Sequence, residues 1–255
     1  MAATPKSSST IRVEPITNPD DFTRCFAVAA SAFGTQSADG IWTAVCPNWN
    51  TPEGAILGAE RMRKRWETRT FDAAGNPNCV FLKATIPDPS SGDGKEVIAG
   101  MAIWVQVSMD KAYGDVPDPD WAKALHVEEL YPGDEPSQRF LCQVFASLTK
   151  QRLEAIKQAA TRDPPSLLGL DLCGVDPAYQ RRGIAAELVK WGLEEARSRG
   201  GLEAVLEASK KGRGVYAKLG FRQEGEEIEY LLDDEFKERS MPSNVFMRTG
   251  ILSKN

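Results

Sequence analysis

Two hydrophobic periods alternate along the chain, and the switches between them mark its elements. Ile11 to Ile16 alternates apolar and polar residues, which predicts a half-buried strand. Asn18-Pro19-Asp20-Asp21 then supplies an N-cap, a proline suited to the first helical position and acids for the helix dipole. Phe22, Cys25, Phe26, Ala29, Ala30 and Phe33 recur on one face of the helix that follows, up to Gly34. Thr35 to Asn50 keeps no period and reads as a long loop holding Trp42, Cys46 and Trp49. Thr51-Pro52-Glu53 opens a second helix to about Arg69, with Ile56, Ala59, Met62 and Trp66 inward and Arg61, Arg63, Lys64, Arg65 and Arg69 as a solvated face. Val80 to Ile86 and Val97 to Val107 are β-rich runs around a flexible loop, Pro87 to Gly94, and predict an antiparallel hairpin.

Helical spacing returns in residues 108–165, after an acidic, proline-broken start. A short helix near Trp121 to Glu129 is expected, then a long one from about Pro136 to Thr161 whose apolar set is Phe140, Leu141, Val144, Phe145, Leu148, Ile156 and Ala159. That stripe needs a partner, either the sheet or a second copy of the chain. Leu167 to Val175 is a buried strand, and Ile184, Leu188, Val189, Leu193 and Ala196 make the inner face of a helix ended by Gly200-Gly201. Leu202 to Ala208, a short helix over Lys211 to Lys218, and strands over Phe221 to Leu232 and Asn244 to Thr249 complete the pattern. The spacing predicts one domain over residues 11–255, after a loose Ser/Thr-rich tail over 1–10, with a mixed sheet and helices on both faces.

Composition narrows the function more than the fold. At 42% apolar and 26% charged residues the chain is of globular type. A formal charge of −5 argues against general nucleic-acid binding. No run is apolar for long enough to span a bilayer, and no membrane role is expected. The five cysteines, Cys25, Cys46, Cys79, Cys142 and Cys173, are odd in number and lack a CxxC pair, so neither disulfides nor a metal site is expected and a reducing cytoplasmic setting fits.

The chemistry gathers after Val175. Asp176-Pro177 ends the strand, and Gln180-Arg181-Arg182-Gly183-Ile184-Ala185 lies where helical spacing begins. The first N–H groups of a helix lack internal partners, and the dipole adds about half a positive charge there, so the turn suits a phosphate. Gly183 lets backbone approach the ligand, and Arg181 and Arg182 offer charge-assisted bonds. Val175 to Ala185 resembles the acetyl-coenzyme A motif of the GNAT superfamily of N-acetyltransferases, V-x-P-x-x-(Q/R)-x-x-G-x-(G/A). Leu206-Glu207-Ala208-Ser209 followed by Val215 to Phe221 is similar to its second signature, a strand and then Y-x-x-x-G-F. That later segment looks like the fungal small-molecule branch of the family and distantly like puromycin acetyltransferases.

The resemblance implies an α+β fold of GNAT type: a single domain with a mixed, twisted, mostly antiparallel seven-stranded sheet, helices on both faces, and residues 108–165 as a helical insertion between the third and fourth strands. It implies acetyl-CoA as donor, its arm bonded along the backbone of Cys173, Gly174 and Val175 between two splayed strands, and its pyrophosphate on Gln180, Arg181, Arg182, Gly183, Ile184 and Ala185. Ser209 stands where many members carry asparagine. Tyr216 is implied as general acid beside the sulfur. Asp171, set by alternation on one face with Cys173 and Val175, and Glu207 are acids in apolar strands that either have structural partners or face the acceptor. Trp42 and Trp49 are either walls of the acceptor pocket or a satellite core. The expected activity is direct acetyl transfer to a small primary amine, in detoxification or secondary metabolism, by a monomer or homodimer. Protein lysine or N-terminal acetylation, and a non-catalytic acyl-CoA sensor, are the competing readings.

Overall fold

Seven strands form one sheet in the order β1-β2-β3-β4-β5-β7-β6 in the computed structural model, which describes residues 11–88, 90 and 95–253. The tail over 1–10 and most of the expected loop between Pro87 and Gly94 lie outside the described residues. The strands are β1 (Arg12–Pro15), β2 (Cys79–Pro87), β3 (Glu96–Ser108), β4 (Ser166–Val175), β5 (Glu203–Ser209), β6 (Arg222–Glu227) and β7 (Asn244–Arg248). Only β4 and β5 run parallel; every other neighbouring pair is antiparallel. The helices are α1 (Asp21–Ala29), α2 (Gly40–Val45), α3 (Pro52–Glu67), α4 (Trp121–Ala124), α5 (Val127–Leu130), α6 (Glu135–Leu148), α7 (Lys150–Ala159), α8 (Ile184–Ser198) and α9 (Arg213–Lys218).

Both faces of the sheet are covered. Ile184, Leu188, Val189, Leu193 and Ala196 of α8 pack on Leu82, Ala102, Trp104, Leu168 and Leu206, as the periodicity predicts. The approach is close enough that a Cβ on Gly192 would stand 2.0 Å from the Trp104 ring. On the opposite face α1 and α3 cover Phe81, Met101 and Ile103, while Ala155, Ile156 and Ala159 of α7 cover Leu167, Val205 and Phe246.

Four local expectations are corrected. Helix α1 passes into a π-helical stretch, Ala30–Gln36, instead of stopping at Gly34. The long loop contains α2, whose N-cap Asp39 accepts from the backbone of Ile41 and Trp42. Ile56 is 60% exposed because α3 turns Gly54, Gly58 and Ala59 to the core, small residues that let it lie close to α1. The single long helix breaks at Thr149, whose hydroxyl bonds the Phe145 carbonyl, so that α6 and α7 serve different surfaces. Phe140 and Val144 of α6 meet Ile41 and Phe236, and the stripe thus finds its partners within the chain.

Candidate active site

Strands β4 and β5 pair from Leu167 with Glu203 to Leu170 with Leu206 and then part. Asp171 to Val175 on one side and Glu207 to Ser209 on the other therefore border a gap in the sheet. A bulge lies at its apex: β3 pairs Ile103 with Leu172 but Trp104 with Leu170, which leaves Asp171 as the extra residue. The bulge reverses the alternation. Leu168, Leu170, Cys173 and Val175 all pack on the α8 side, whereas Leu172 packs on the α1 and α3 side. Asp171 is thereby directed away from the face of Cys173 and Val175, against the expectation from alternation, and toward arginines from α3 and α7.

Those arginines hold both of its oxygens. Arg65 Nη2 donates to Asp171 Oδ2 at 2.7 Å and Arg152 Nη1 to Oδ1 at 2.5 Å. Burial works to raise the Asp171 pKa, but the two guanidinium groups override it and hold the carboxyl below its ordinary range. Glu207, on the same side, takes a fork from Arg152, with Nε donating to Oε1 at 3.0 Å and Nη2 to Oε2. Its side chain is only 7% exposed, and burial pushes its pKa up against the pull of Arg152. The expected solvated face of α3 is kept by Arg63 and Lys64, which are exposed, and corrected for its neighbours: Arg65 also lies over the Phe81 ring, Arg69 over Trp66, and Arg61 turns a buried nitrogen inward.

The other side of the gap is apolar. Tyr216 of α9 packs with Cys173 against the α8 core, its ring 6.0 Å from Phe221 in an edge contact. No hydrogen bond ties its hydroxyl among the described residues, and burial, then the neighbouring Cys173, push its pKa well above that of a free phenol. Burial likewise pushes the Cys173 thiol up to about 12, so it carries no thiolate at neutral pH.

At the open end, Asp176 caps the turn Pro177–Tyr179 and is gripped by Arg24, with Nη2 2.6 Å from Oδ2. Gln180 Nε2 donates to the Val175 carbonyl at 3.0 Å and the same side chain exchanges bonds with Gln36. Gly183 takes φ 91°, a value that favours glycine, and opens α8 with no side-chain cap for its first N–H groups among the described residues. A Cβ on Gly183 would touch only Ile11, at 3.9 Å, so the backbone is open to a ligand. Arg181 and Arg182 are exposed, with the Arg182 guanidinium over the Tyr179 ring at 5.6 Å. Residues 150–230 match the sequence profile of the acetyltransferase (GNAT) domain.

The chain is similar to that family over this third of its length.

Its fold is shared with solved acetyltransferases. Arylalkylamine N-acetyltransferase 2 from Aedes aegypti is similar at a TM-score of 0.59 and 19% identity, covering 94% of this chain and 98% of its own. Polyamine N-acetyltransferase from Drosophila melanogaster matches at 0.55 and 13%, over 94% and 98%. A Corynebacterium glutamicum protein described as histone acetyltransferase HPA2 and related acetyltransferase matches at 0.50 and 18%, over 96% and 99%. No curated protein matches the sequence.

Around the gap the structure places some residues that the sequence singled out and adds others that it did not. Trp42 is 6% exposed and stacks among Phe26, Phe33 and Trp49, so it belongs to the core and not to an acceptor wall. Trp49 packs over Gly34 in the same cluster. Phe33 instead reaches the gap, with a Cβ on Gly174 standing 3.1 Å from its ring. Phe33, Asp39, Ser209, Lys211, Met241 and Ser243 line a cavity of about 200 Å3 beside the end of β5. Tyr230 Oη accepts from Asn244 Nδ2 at 2.9 Å, next to Ser209 in the sheet. Neither carried a motif. Arg152 did carry a signal: it takes the i+4 place between Leu148 and Ile156 on the apolar stripe, where a charge requires a buried partner. Among the described residues no group of three His, Cys, Asp or Glu side chains is placed to hold a metal, and no helix is long and apolar enough to cross a membrane.

Proposed function

We propose that the GNAT domain transfers an acetyl group directly from acetyl-CoA to a small primary amine. The observation that carries this reading is the chemistry of the gap between β4 and β5: a protonated, unbonded phenol on one side and a buried acid with raised pKa on the other. The donor fits the residues present. The β5-facing edge of Cys173 to Val175, beyond the last β4–β5 pair, the open Gly183 turn and the uncapped α8 suit an extended amide arm and a pyrophosphate, with Arg181, Arg182, Ile184 and Ala185 at the phosphate end. Acetyl-CoA supplies an activated acetyl thioester.

Two proton tasks fall to the protein. A lysine-like amine with pKa ~10.4 is neutral at pH 7 at a cost of roughly 4.6 kcal/mol. Glu207 is assigned as the base, directly or through one water, because burial raises its proton affinity while two arginines lower that of Asp171; each Glu207 oxygen, though bonded to Arg152, keeps a second lone pair for a proton. Tyr216 Oη keeps its proton and stabilises the departing sulfur. The Cys173 thiol, neutral and without a base, is a lining residue and not a nucleophile. The small cavity bounded by Phe33 and Asp39 favours a short amine over a peptide, in line with the arylalkylamine and polyamine acetyltransferases of the same fold.

A panel of phenylethylamine, agmatine, spermidine and a lysine-containing peptide, scored by release of free coenzyme A, tests the reading. Turnover of one or more small amines and not the peptide is expected. Turnover of the peptide alone would establish the protein-acetylation alternative, and tight acetyl-CoA binding with no turnover would establish the sensor.

A further inference from the structure

We infer that Arg152 of α7 is a positioning residue for the transfer: its guanidinium, wedged where β4 and β5 part, fixes the Glu207 carboxylate and keeps it ionised. The inference rests on the reading of Glu207 as the base.

The last paired residues are Leu170 and Leu206, and the next on each strand are Asp171 and Glu207. Like charges on neighbouring strands repel, and here both point to the α7 side. One guanidinium answers both. It forks onto Glu207, reaches Asp171 Oδ1 at 2.5 Å, and lies 3.5 Å from the Leu170 carbonyl, the last before the strands separate. Gly169 makes room, since a Cβ there would stand 3.3 Å from Arg152 Nη1. The Arg152 and Glu207 side chains are 11% and 7% exposed, so the pair is shielded from water and its geometry is set by protein alone. Arg65 occupies the second oxygen of Asp171 and leaves Arg152 free to fork onto Glu207.

A lysine cannot reproduce this contact, because an ammonium is a point charge and has no planar fork. The charged and titratable groups facing Glu207 are Arg152 from α7, Asp171 from β4 with Arg65 of α3 behind it, and Tyr230 from the segment between β6 and β7. Tyr230 is pushed up to about 12 by burial and Asp171 is held low by its arginines, whereas burial moves Glu207 upward from the ordinary carboxylate range against the pull of Arg152.

The test uses the full chain as Arg152→Gln, Arg152→Lys and Glu207→Gln. Two readouts are needed: the infrared band of the protonated Glu207 carboxyl as pH is lowered, identified by its absence in Glu207→Gln, and the pH profile of kcat and KM with the best amine of the panel above. In Arg152→Gln the Glu207 band should titrate about one to two pH units higher, as expected on losing an opposite charge at contact. Its kcat should fall roughly ten- to hundred-fold, with the amine KM little changed. Arg152→Lys should restore most of the titration but only part of kcat. A folded Arg152→Gln with wild-type titration and kcat overturns the inference. If Arg152→Gln does not fold, wild-type kcat in Arg152→Lys overturns it instead. Full activity and an unchanged pH profile in Glu207→Gln would remove Glu207 as base, while the infrared titration still decides whether Arg152 holds its carboxylate.

Discussion

At Tyr216 a phenol with no hydrogen-bond partner among the described residues is kept protonated by burial, which costs the anion more than the neutral ring. It cannot act as a strong acid, but a hydrogen bond to a sulfur gaining charge is worth more in a low-dielectric gap than in water. Tyr216→Phe is expected to lower kcat by roughly 10- to 10³-fold, with little change in acetyl-CoA affinity, since the bond strengthens only as the thioester breaks. Stopped-flow thiol release at saturating donor measures it; full activity in the folded mutant would leave Tyr216 a packing residue. Because its folded pKa lies above the ordinary ~10, ionisation of Tyr216 should cause no loss of rate between about pH 7 and 9. Asp171 makes the opposite case. Its folded pKa is depressed, so the stability it contributes is complete above the ordinary carboxylate pKa of ~3.9 and is lost as pH falls through the lower folded value. Asp171→Asn should cost about 1–3 kcal/mol near neutrality, and melts taken down the pH scale should show that gap closing below roughly pH 4. A gap that persists in acid would mean shape, not charge, is what Asp171 contributes.

Among the elements, the strand-turn-helix from β4 to α8 has its outcome written in its own residues. Pro177 stops the ladder, Gly183 adopts the left-handed turn, and the apolar spacing from Ile184 starts the helix. Gly183→Asp would place a β-substituted residue at φ 91° and a negative charge at the helix N-terminus, and is expected to weaken acetyl-CoA binding at least 100-fold, about 2.7 kcal/mol. Calorimetry on the folded mutant checks it, and unchanged affinity would move the phosphate site elsewhere. The bulge at Asp171 was hidden for a physical reason. A strand's own sequence sets a period of two, whereas the extra residue is defined only by the partner strand opposite it. The break at Thr149 is similar: the apolar stripe continues through it, and the division into α6 and α7 comes from two surfaces that one straight helix cannot cover.

At the scale of the molecule, Glu203, at the paired end of β4 and β5 away from the gap, ties β5 to β7 and to the segment after α7. Its side chain is 1% exposed and accepts from Arg162 beyond α7 at 2.6 Å, from Arg248 of β7 at 2.6 Å, and from the Gly250 backbone at 3.0 Å. Burial would raise its pKa, but Arg248 and Arg162 override that and hold it low. Glu203→Gln leaves two arginines without their shared anion and should destabilise the fold by about 3–5 kcal/mol. Chemical denaturation measures this; a change under 1 kcal/mol would show that Glu224 beside Arg248 takes up the charge.

The sequence by itself determined what short-range rules can reach. The seven strands in their chain order, the turn that opens α8 and the tyrosine before Gly220-Phe221 are each specified by residues close together in the chain. The antiparallel place of β7 between β5 and β6 was legible in part, as the neighbour of β6. Tertiary structure alone decided the meaning of the charges. Asp171 and Glu207 stood out as acids in apolar strands, yet their roles depend on Arg65 and Arg152, 106 and 19 residues away from Asp171 along the chain. Of the two readings open for Trp42 the fold takes the core, while Phe33, carried on the π-helical stretch after α1, packs on that core and also reaches Gly174 at the gap. Electrostatic and packing partners are chosen through space, and the proton affinity of a carboxyl belongs to the neighbours that the fold brings to it.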